Sequence, residues 1–470
     1  MRVRARVALA LPFLLLAATT VNAQRAPAAH VDPPATGPAW LEAYRPAASR
    51  LVGEAVSSTF AWDRLALLTD TIGNRLSGTP ALDRAIQWAA GEMTRDGLEN
   101  VHTERVMVPK WVRGSESAEI VEPARHAIVM LGLGDSVGTP PGGVQAEVLV
   151  VHSFEELDSK AASARGRIVV FNVAFTNYGE TVRFRSMGPS RAARHGAVAM
   201  LVRAIGPSGL RTAHTGALAY ASDAPKIPAA AIAAEDADRL QRMADRGDRV
   251  VVRLTMEAHF DPDAPSANVV GEIRGREKPE EIVVVSGHLD SWDVGAGATD
   301  DGGGCIVTWE ALRIMKKLNL RPRRTVRVVL WTNEENGGRG GLAYRDQHRG
   351  ELSRHVLMLE SDGGVFRPQG FGFTGSDAAR ETVRTIATLL SGIAADQISP
   401  GGGGADIGPS MQEAHIPGMS LDVDGSKYFL IHHTSADTVD KIDPVEMAKC
   451  AAAVAVMAYV VADLPHRLGE

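Results

Sequence analysis

Almost continuously apolar runs that end in polar, glycine-rich segments dominate the second half of the chain. Residues 282–286 and 325–331 form two such runs, which are typical of strands buried on both faces of a sheet. Residues 305–317 and 444–461 have helical periodicity instead. Strands that alternate with helices predict an α/β domain with a mixed, largely parallel central sheet flanked by helices. Ligands of such sheets bind beyond the carboxyl ends of the strands.

The first half has a different pattern. Residues 50–98 have helical spacing, with the clearest helix at 81–96 and Gly97 just past its end. Residues 101–108 alternate as a strand does. From about 127 to 260, short β-rich runs are separated by Gly, Pro and Ser, which predicts a separate module inserted into the chain. These runs are 148–152, 167–172, 197–202 and 250–256.

The N-terminus has the features of a secretory signal peptide. Arg2, Arg4 and Arg6 precede an apolar run at 7–18, and small residues around Ala23 mark a cleavage point. A membrane anchor is the alternative, but the run is shorter than the roughly 20 residues that span a bilayer. We therefore expect a secreted or periplasmic protein without stable membrane insertion after cleavage.

Charge and cysteine content narrow the function classes. The formal net charge is −6, and loss of the three leader arginines moves it to about −9, so nucleic acid is not an expected partner. With only Cys305 and Cys450, the fold cannot rest on a disulfide framework. Both cysteines fall in apolar, helical stretches, and the sequence leaves open two buried free thiols or a single bridge.

Acidic and imidazole side chains follow the predicted strands. His288 and Asp290 come directly after residues 282–286, and a carboxylate there can hydrogen-bond the far nitrogen of a metal-ligating imidazole. A satisfied loop histidine is the alternative. Asp300 and Asp301 lie among glycines ahead of a helix, where one carboxylate can bridge two ions. Taken alone, these residues are better explained as an acidic N-terminal cap of the helix.

Three further clusters complete the pattern. Glu334 and Glu335 follow residues 325–331, where one glutamate can bind metal and the other can carry a proton. Asp362 follows the apolar run at 356–359, and His432 and His433 come later in the chain. Solvated surface glutamates are the alternative for Glu334 and Glu335, and each cluster alone is a weak signal. All five in this order predict a metal-dependent hydrolytic site.

The order and spacing of these residues resemble the di-zinc exopeptidase family of bacterial secreted aminopeptidases and carboxypeptidase Q, most of all carboxypeptidase Q. The most specific segment is 287–304, where His288 and Asp300 match the family's first ligand and bridging aspartate. The resemblance covers nearly the whole mature chain. Residues 165–171 and 195–201 resemble the protease-associated domain that is inserted in several secreted peptidases.

The resemblance implies two Zn²⁺ ions per chain and a role for each clustered residue. Asp300 bridges both ions and is joined to Asp301 by a cis peptide bond. Glu334 is the general base, and Asp290 is the partner of His288. The remaining ligands are His288 and Asp362 at one ion and Glu335 and His433 at the other.

Three finer assignments follow from the same resemblance. His433 is preferred to His432 because the family's last ligand stands four residues before an aspartate, here Asp437. His432 is then a candidate for binding the oxyanion or a substrate terminus. Asp406, after a glycine-rich loop at 401–404, is a candidate for binding a substrate amino group. Nitrogen and oxygen donors suit zinc but also manganese and cobalt.

The expected domains are a signal peptide at 1–23, an N-terminal part of the catalytic domain at 24–126, the protease-associated-like insertion at 127–260 and the metal-binding part at 261–470. The expected function is hydrolysis of short peptides or dipeptides by a secreted dinuclear zinc exopeptidase. A general aminopeptidase, a non-catalytic binding protein on the same scaffold and a one-zinc amidase or cyclase are the alternatives. The complete ligand set favours the peptidase, and a homodimer is expected only from relatives.

Overall fold

The computed structural model describes residues 38–470, so the predicted signal peptide lies outside the described residues. An eight-stranded mixed sheet forms the centre of the main domain. Its middle strands are mutually parallel, as the apolar runs predicted. In sheet order the strands are β1 (Glu99–Val112), β10 (His259–Ile273), β12 (Arg324–Trp331), β11 (Lys278–His288), β13 (His355–Glu360), β16 (Gly418–Val423), β14 (Pro368–Thr374) and β15 (Gln397–Pro400).

Helices cover both faces of this sheet. Along β11, Val283 and Val285 pack into the larger core, whereas Ile282 and Val284 pack into a second core on the opposite face. Burial on both faces explains why the run has no polar alternation. In chain order the helices are α1 (Ala39–Glu42), α2 (Arg45–Val56), α3 (Phe60–Thr71), α4 (Pro80–Arg95), α5 (Phe154–Ser159), α6 (Ala161–Ala164), α7 (Tyr178–Ser186), α8 (Gly188–Arg194), α9 (Ala234–Asp245), α10 (Gly303–Lys317), α11 (Arg339–Gln347), α12 (Asp377–Ala387), α13 (Gly408–Ala414), α14 (Tyr428–Ile431) and α15 (Pro444–Asp463).

A second eight-stranded sheet lies between β1 and β10 in the sequence. It begins at Glu116, earlier than the predicted boundary at residue 127, because its first strand alternates polar residues with Ala118 and Ile120 and carries little apolar signal. Helices α5 to α9 belong to the same segment. In sheet order the strands are β3 (His126–Ile128), β2 (Glu116–Glu122), β9 (Val251–Met256), β5 (Val144–Val151), β6 (Ile168–Phe171), β7 (Ala199–Arg203), β8 (Ala229–Ile232) and β4 (Met130–Gly132).

The helix α15 is part of the core. Asp443 caps it by accepting a hydrogen bond from the backbone nitrogen of Val445 at 2.7 Å, and Pro444 occupies its first turn. Within residues 38–470 it is the one helix long and apolar enough to cross a membrane, and most of it is buried against the sheet. Cys450 on α15 and Cys305 on α10 are both buried free thiols, so the bridge is not formed.

A charged cluster beside β1 packs around His348. Its Nε2 lies 2.7 Å from Glu104 Oε1, its Nδ1 lies 2.6 Å from Glu351 Oε1, and its ring stacks on Tyr344. Burial alone would lower the pKa of His348, but the two carboxylates outweigh burial and raise it to about 9. His348 is thus held between two acidic side chains.

His348 is therefore expected to make stability depend on alkaline pH. Since the folded pKa exceeds the ordinary value, its stabilisation is complete below about pH 6.5 and is lost as the pH rises through about 9. Because solvent partly screens the two ion pairs, the free energy of unfolding is expected to fall by about 1–2 kcal/mol. Urea unfolding at pH 6 and pH 9.5 measures it. His348→Gln should lack this loss, whereas His126→Gln on β3 should retain it. An equal loss in both variants would contradict the assignment.

Candidate metal centre

The carboxyl ends of the parallel strands carry most of the predicted ligands. His288 is the last residue of β11, Glu335 lies four residues after β12, and Asp362 lies two residues after β13. Asp300 lies in the turn Ala298–Gly302 ahead of α10, and His433 follows α14. Because β12, β11 and β13 are neighbours in the sheet, their ends bring these side chains to one buried site.

Asp300 lies between two imidazoles. Its Oδ1 is 3.1 Å from His288 Nε2, and its Oδ2 is 3.2 Å from His433 Nε2. His288 Nε2 also lies 3.3 Å from Asp362 Oδ1, and His433 Nε2 lies 3.1 Å from Glu335 Oε2. The five predicted ligands therefore form two groups of three that share the Asp300 carboxylate.

The donor set fits a pair of hard or borderline divalent cations. It holds nitrogen and carboxylate oxygen donors without a thiolate, as zinc sites of this type do. Oxygen Oε1 of Glu335 is buried without a hydrogen-bond partner among the described residues. Burial and the nearby Asp300 raise the pKa of Glu335 to about 7. A cation at this position would stabilise the ionised form of these closely packed carboxylates.

Two acidic residues hold the backbone around the ligands. Asp290 was predicted to bond His288 through its carboxylate, but its backbone carbonyl lies 3.0 Å from His288 Nδ1 and the nearest carboxylate oxygen is 3.9 Å away. The carboxylate instead accepts from the backbone nitrogens of Glu334 at 3.1 Å and Glu335 at 3.4 Å. Asp301, joined to Asp300 by a cis peptide bond, accepts from the backbone nitrogen of His288 at 3.0 Å.

Asp437 and Arg75 support the same turn, and their roles were not predicted. The Asp437 carboxylate accepts from the backbone nitrogens of Thr299 at 2.7 Å and Asp300 at 3.1 Å, which fixes the backbone at Asp300. Arg75 is fully buried and donates to the carbonyls of the loop that carries this turn, including that of Gly297 at 2.9 Å. No local motif marks an arginine that binds only carbonyl oxygens.

Known proteins are similar to this chain over most of its length. A family model described as peptidase family M28 matches residues 268–458. Carboxypeptidase Q from Mus musculus is 47% identical over 428 residues, which cover 90% of this chain and 91% of the relative. Carboxypeptidase Q from Homo sapiens is 49% identical over 407 residues, which cover 87% and 86%. The chain belongs to peptidase family M28.

Solved structures extend the similarity to the fold. A peptidase M28 precursor from Shewanella amazonensis superimposes with a TM-score of 0.86 at 34% identity, over 91% of this chain and 98% of that one. A zinc aminopeptidase from Bacillus subtilis shares the fold with a TM-score of 0.65 at 21% identity, over 87% and 96%. The predicted α/β fold and the predicted zinc-dependent metallo-exopeptidase are thereby confirmed.

In this M28 peptidase the segment of the second sheet also reaches the metal centre. The backbone carbonyl of Thr215 lies 3.2 Å from His433 Nδ1, and the Thr215 nitrogen donates to the His433 carbonyl at 3.0 Å. An accepting carbonyl at Nδ1 leaves Nε2 free to bind metal. Arg185 lies alongside, with Nη1 3.4 Å from His433 Nδ1. The β-rich pattern that identified this segment gave no sign of these contacts.

A cavity of about 310 Å³ opens over the M28 centre. His432 lies in its wall, stacked on His433 with ring centroids 3.5 Å apart, and its Nε2 is 3.5 Å from Asp300 Oδ2. This position suits the predicted contact with substrate. The residues that line the cavity are Tyr178, Arg185, Asp300, Glu334, Glu335, Asp362, Tyr428, Phe429, His432 and His433.

Asp406 is not among the residues that line this cavity. Its side chain is 1% exposed and its two oxygens have no hydrogen-bond partner among the described residues. Glu360 lies beside it and accepts from the backbone nitrogen of Ile407 at 3.0 Å. Burial and the Glu360 charge raise the pKa of Asp406 well above its usual range. The contact between Asp406 and a substrate amino group therefore stays a prediction.

Gly216 lies against Arg185 and His433, and its lack of a side chain leaves room for both. A Cβ at this position would collide with the Arg185 guanidinium and lie 2.8 Å from His433 Nδ1. Gly216→Ala is therefore expected to displace the predicted ligand His433 and to lower kcat/KM by about 10–100-fold, the cost typical of disturbing a group that orients a metal ligand. Zinc titration and steady-state kinetics measure the effect.

Gly209→Ala is the matched control. Gly209 has φ +124° beside +129° for Gly216, but no atom lies within 4 Å of its would-be Cβ. Both substitutions thus share the backbone penalty of an L-residue in this region. Equal activity in the two variants would show that the contact with His433 does not matter.

Proposed function

We propose that the chain is a dinuclear zinc exopeptidase that releases one residue from dipeptides or other short peptides. The observation that carries the proposal is the shared carboxylate of Asp300, whose two oxygens face His288 Nε2 and His433 Nε2 at 3.1 and 3.2 Å. The curated relatives named carboxypeptidase Q support the substrate class. A cavity of about 310 Å³ suits a ligand of two residues better than a long chain.

His288 and Asp362 would hold one ion, Glu335 and His433 the other, and Asp300 both. When bound, such a pair of ions polarises the scissile carbonyl and makes a water molecule more acidic. The chain's part is to keep the donors in place: Asp437 fixes the Asp300 backbone, and the Thr215 carbonyl fixes the tautomer of His433.

Glu334 would carry the proton. It lines the cavity, and its backbone nitrogen is anchored to the Asp290 carboxylate, so its side chain projects from a fixed position. Its carboxylate accepts a proton from the attacking water as the water oxygen bonds the scissile carbonyl carbon. The C–N bond then breaks, and Glu334 returns the proton to the leaving amine nitrogen. His432 would donate a hydrogen bond to the developing oxyanion or to a substrate terminus.

The test combines metal content with hydrolysis of a dipeptide panel whose amino or carboxyl ends are free or blocked, before and after chelation. About two zinc equivalents with turnover that stops on chelation would support the proposal. Loss of activity on blocking the amino end alone would indicate a general aminopeptidase. No metal and no turnover after zinc is restored would reject a catalytic function in favour of a binding protein.

We also propose that residues 1–23 direct export, so that the mature chain begins at Gln24 outside the cytosol, and that the segment with the second sheet is a protease-associated-like domain. N-terminal sequencing of the exported protein tests the first point. A homodimer, expected from relatives alone, is tested by sedimentation equilibrium of the zinc-loaded protein.

A further inference from the structure

The segment that joins two of the predicted ligands has no regular structure of its own. His288 ends β11 and Asp300 lies in the turn ahead of α10, and residues 289–297 between them form neither helix nor strand. The spacing of the two side chains matters, because His288 Nε2 and Asp300 Oδ1 lie 3.1 Å apart and would bind the same ion. Residues outside the segment must therefore fix its path.

Arg75 joins the two ends of this segment. Its Nε donates to the Leu289 carbonyl at 2.8 Å. Its Nη1 and Nη2 donate to the carbonyls of Ala296 at 2.7 Å and Gly297 at 2.9 Å. The backbone nitrogen of Arg75 also donates to the Ser291 hydroxyl at 3.0 Å. Because a guanidinium is planar and rigid, one side chain sets the distance between the first and the last residues of the segment.

The other backbone contacts hold one end each. The Trp331 carbonyl accepts from the Leu289 nitrogen at 2.7 Å, and the Asp437 carbonyl accepts from the Ala296 nitrogen at 2.8 Å. Among the described residues, Trp331 hydrogen-bonds only the first end of the segment and Asp437 only the second. The connection between the two ends thus depends on Arg75.

The charge of Arg75 lies where acidic side chains hold the ligands. The guanidinium is fully buried, donates only to backbone carbonyls and forms no ion pair within residues 38–470. Burial lowers the pKa of Arg75, whereas nearby anionic groups, among them Asp437, Asp290 and Asp301, act in the opposite direction. A neutral side chain would remove the donors for these carbonyls and a positive charge from beside the three acids.

We infer that Arg75 is a positioning residue, which fixes the separation of His288 and Asp300 and thereby sets the affinity and the geometry with which the centre holds its ions. The inference rests on the dinuclear zinc centre of the proposed function. Arg75 is not among the residues that line the cavity, so it acts through the backbone of the ligands and does not touch the substrate.

The test measures zinc affinity by competition with a chelator. Arg75→Met is expected to weaken zinc binding by about 10–100-fold, the cost typical of removing a group that orients a metal ligand. Arg75→Lys keeps the positive charge, but a compact ammonium group cannot donate to both ends of the segment, so it should recover only part of the affinity. The visible absorption of the Co²⁺-loaded protein reports ligand geometry and should change in both variants.

Arg64→Met is the matched control. Arg64 is a buried arginine on α3 whose Nη1 donates to Asp96 at 2.6 Å, and it does not contact the segment at 289–297. The variant should lose stability but keep the zinc affinity and the Co²⁺ spectrum. An equal loss of zinc in Arg64→Met would make the effect a general one and overturn the inference. Folded Arg75→Lys protein with the zinc affinity and spectrum of the wild type would also overturn it, whether or not Arg75→Met folds.

Hydrogen exchange of the metal-free protein separates this inference from the proposed function. Amides of residues 289–300 should exchange at least about 10-fold faster in Arg75→Lys than in the wild type, since local opening depends on the contacts that hold a segment. Unchanged exchange would contradict the role of Arg75. If the wild type bound no zinc but the faster exchange were confined to this segment, the proposed metal centre would fail, while the role of Arg75 in holding the segment would stand.

Discussion

Glu334→Gln is expected to lower kcat by about two to four orders of magnitude while the protein keeps its zinc. The substitution removes the proton acceptor but preserves the shape of the side chain. The bond between the Glu334 backbone nitrogen and Asp290 survives, because it does not involve the side chain. Steady-state kinetics on a dipeptide, together with metal analysis by mass spectrometry, provides the measurement.

Glu280→Gln is the control for this experiment, because Glu280 is exposed and lies outside the cavity. It should leave both kcat and zinc content unchanged. Substantial activity in Glu334→Gln would assign proton transfer to another group, and loss of zinc would mean that Glu334 is a ligand. Either result would reject the division of labour between the two adjacent glutamates.

Asp300→Ala is expected to reduce zinc from about two equivalents to less than one and to abolish turnover, because each of its oxygens faces a different histidine. Substitution of a ligand to one ion should have half of this effect on metal content. Asp362→Ala removes the carboxylate that faces His288 and leaves the contacts among Asp300, His433 and Glu335 intact.

Metal analysis after dialysis of the two variants makes the comparison, with circular dichroism to confirm that both are folded. About one equivalent in Asp362→Ala and almost none in Asp300→Ala would support a shared ligand. If Asp300→Ala retained as much zinc as Asp362→Ala, Asp300 would bind a single ion. The proposal of a dinuclear centre bridged by Asp300 would then be wrong.

Local patterns in the sequence identified the candidate ligands that the structure brings together. Runs such as 282–286 are apolar because both faces of the strand are buried, and a ligand that directly follows such a run must lie at the edge of the sheet. His288 and Asp362 were identifiable for that reason. The two buried thiols, Cys305 and Cys450, could only be left open, since their separation depends on how α10 and α15 pack.

The finer contacts depend on tertiary structure. Asp290 has both a carboxylate and a carbonyl two residues from His288, and only the path of the loop decides which one faces the imidazole. Asp406 follows a glycine-rich loop that could have faced solvent, yet it is packed against Glu360. Composition and spacing carry no information on either choice.

By itself the sequence determined the fold class and predicted that acidic and imidazole side chains follow the strands, because these features depend on periodicity and residue chemistry within short segments. Only the tertiary structure decided that Thr215 and Arg185 lie against His433, from which they are separated by 218 and 248 residues. Such contacts form when the segment with the second sheet packs against the main domain. They do not depend on the hydrophobic periodicity of either segment, so the sequence pattern does not show them. The grouping of the five candidate ligands could thus be expected from the sequence, whereas the contacts of Thr215 and Arg185 with His433 could not.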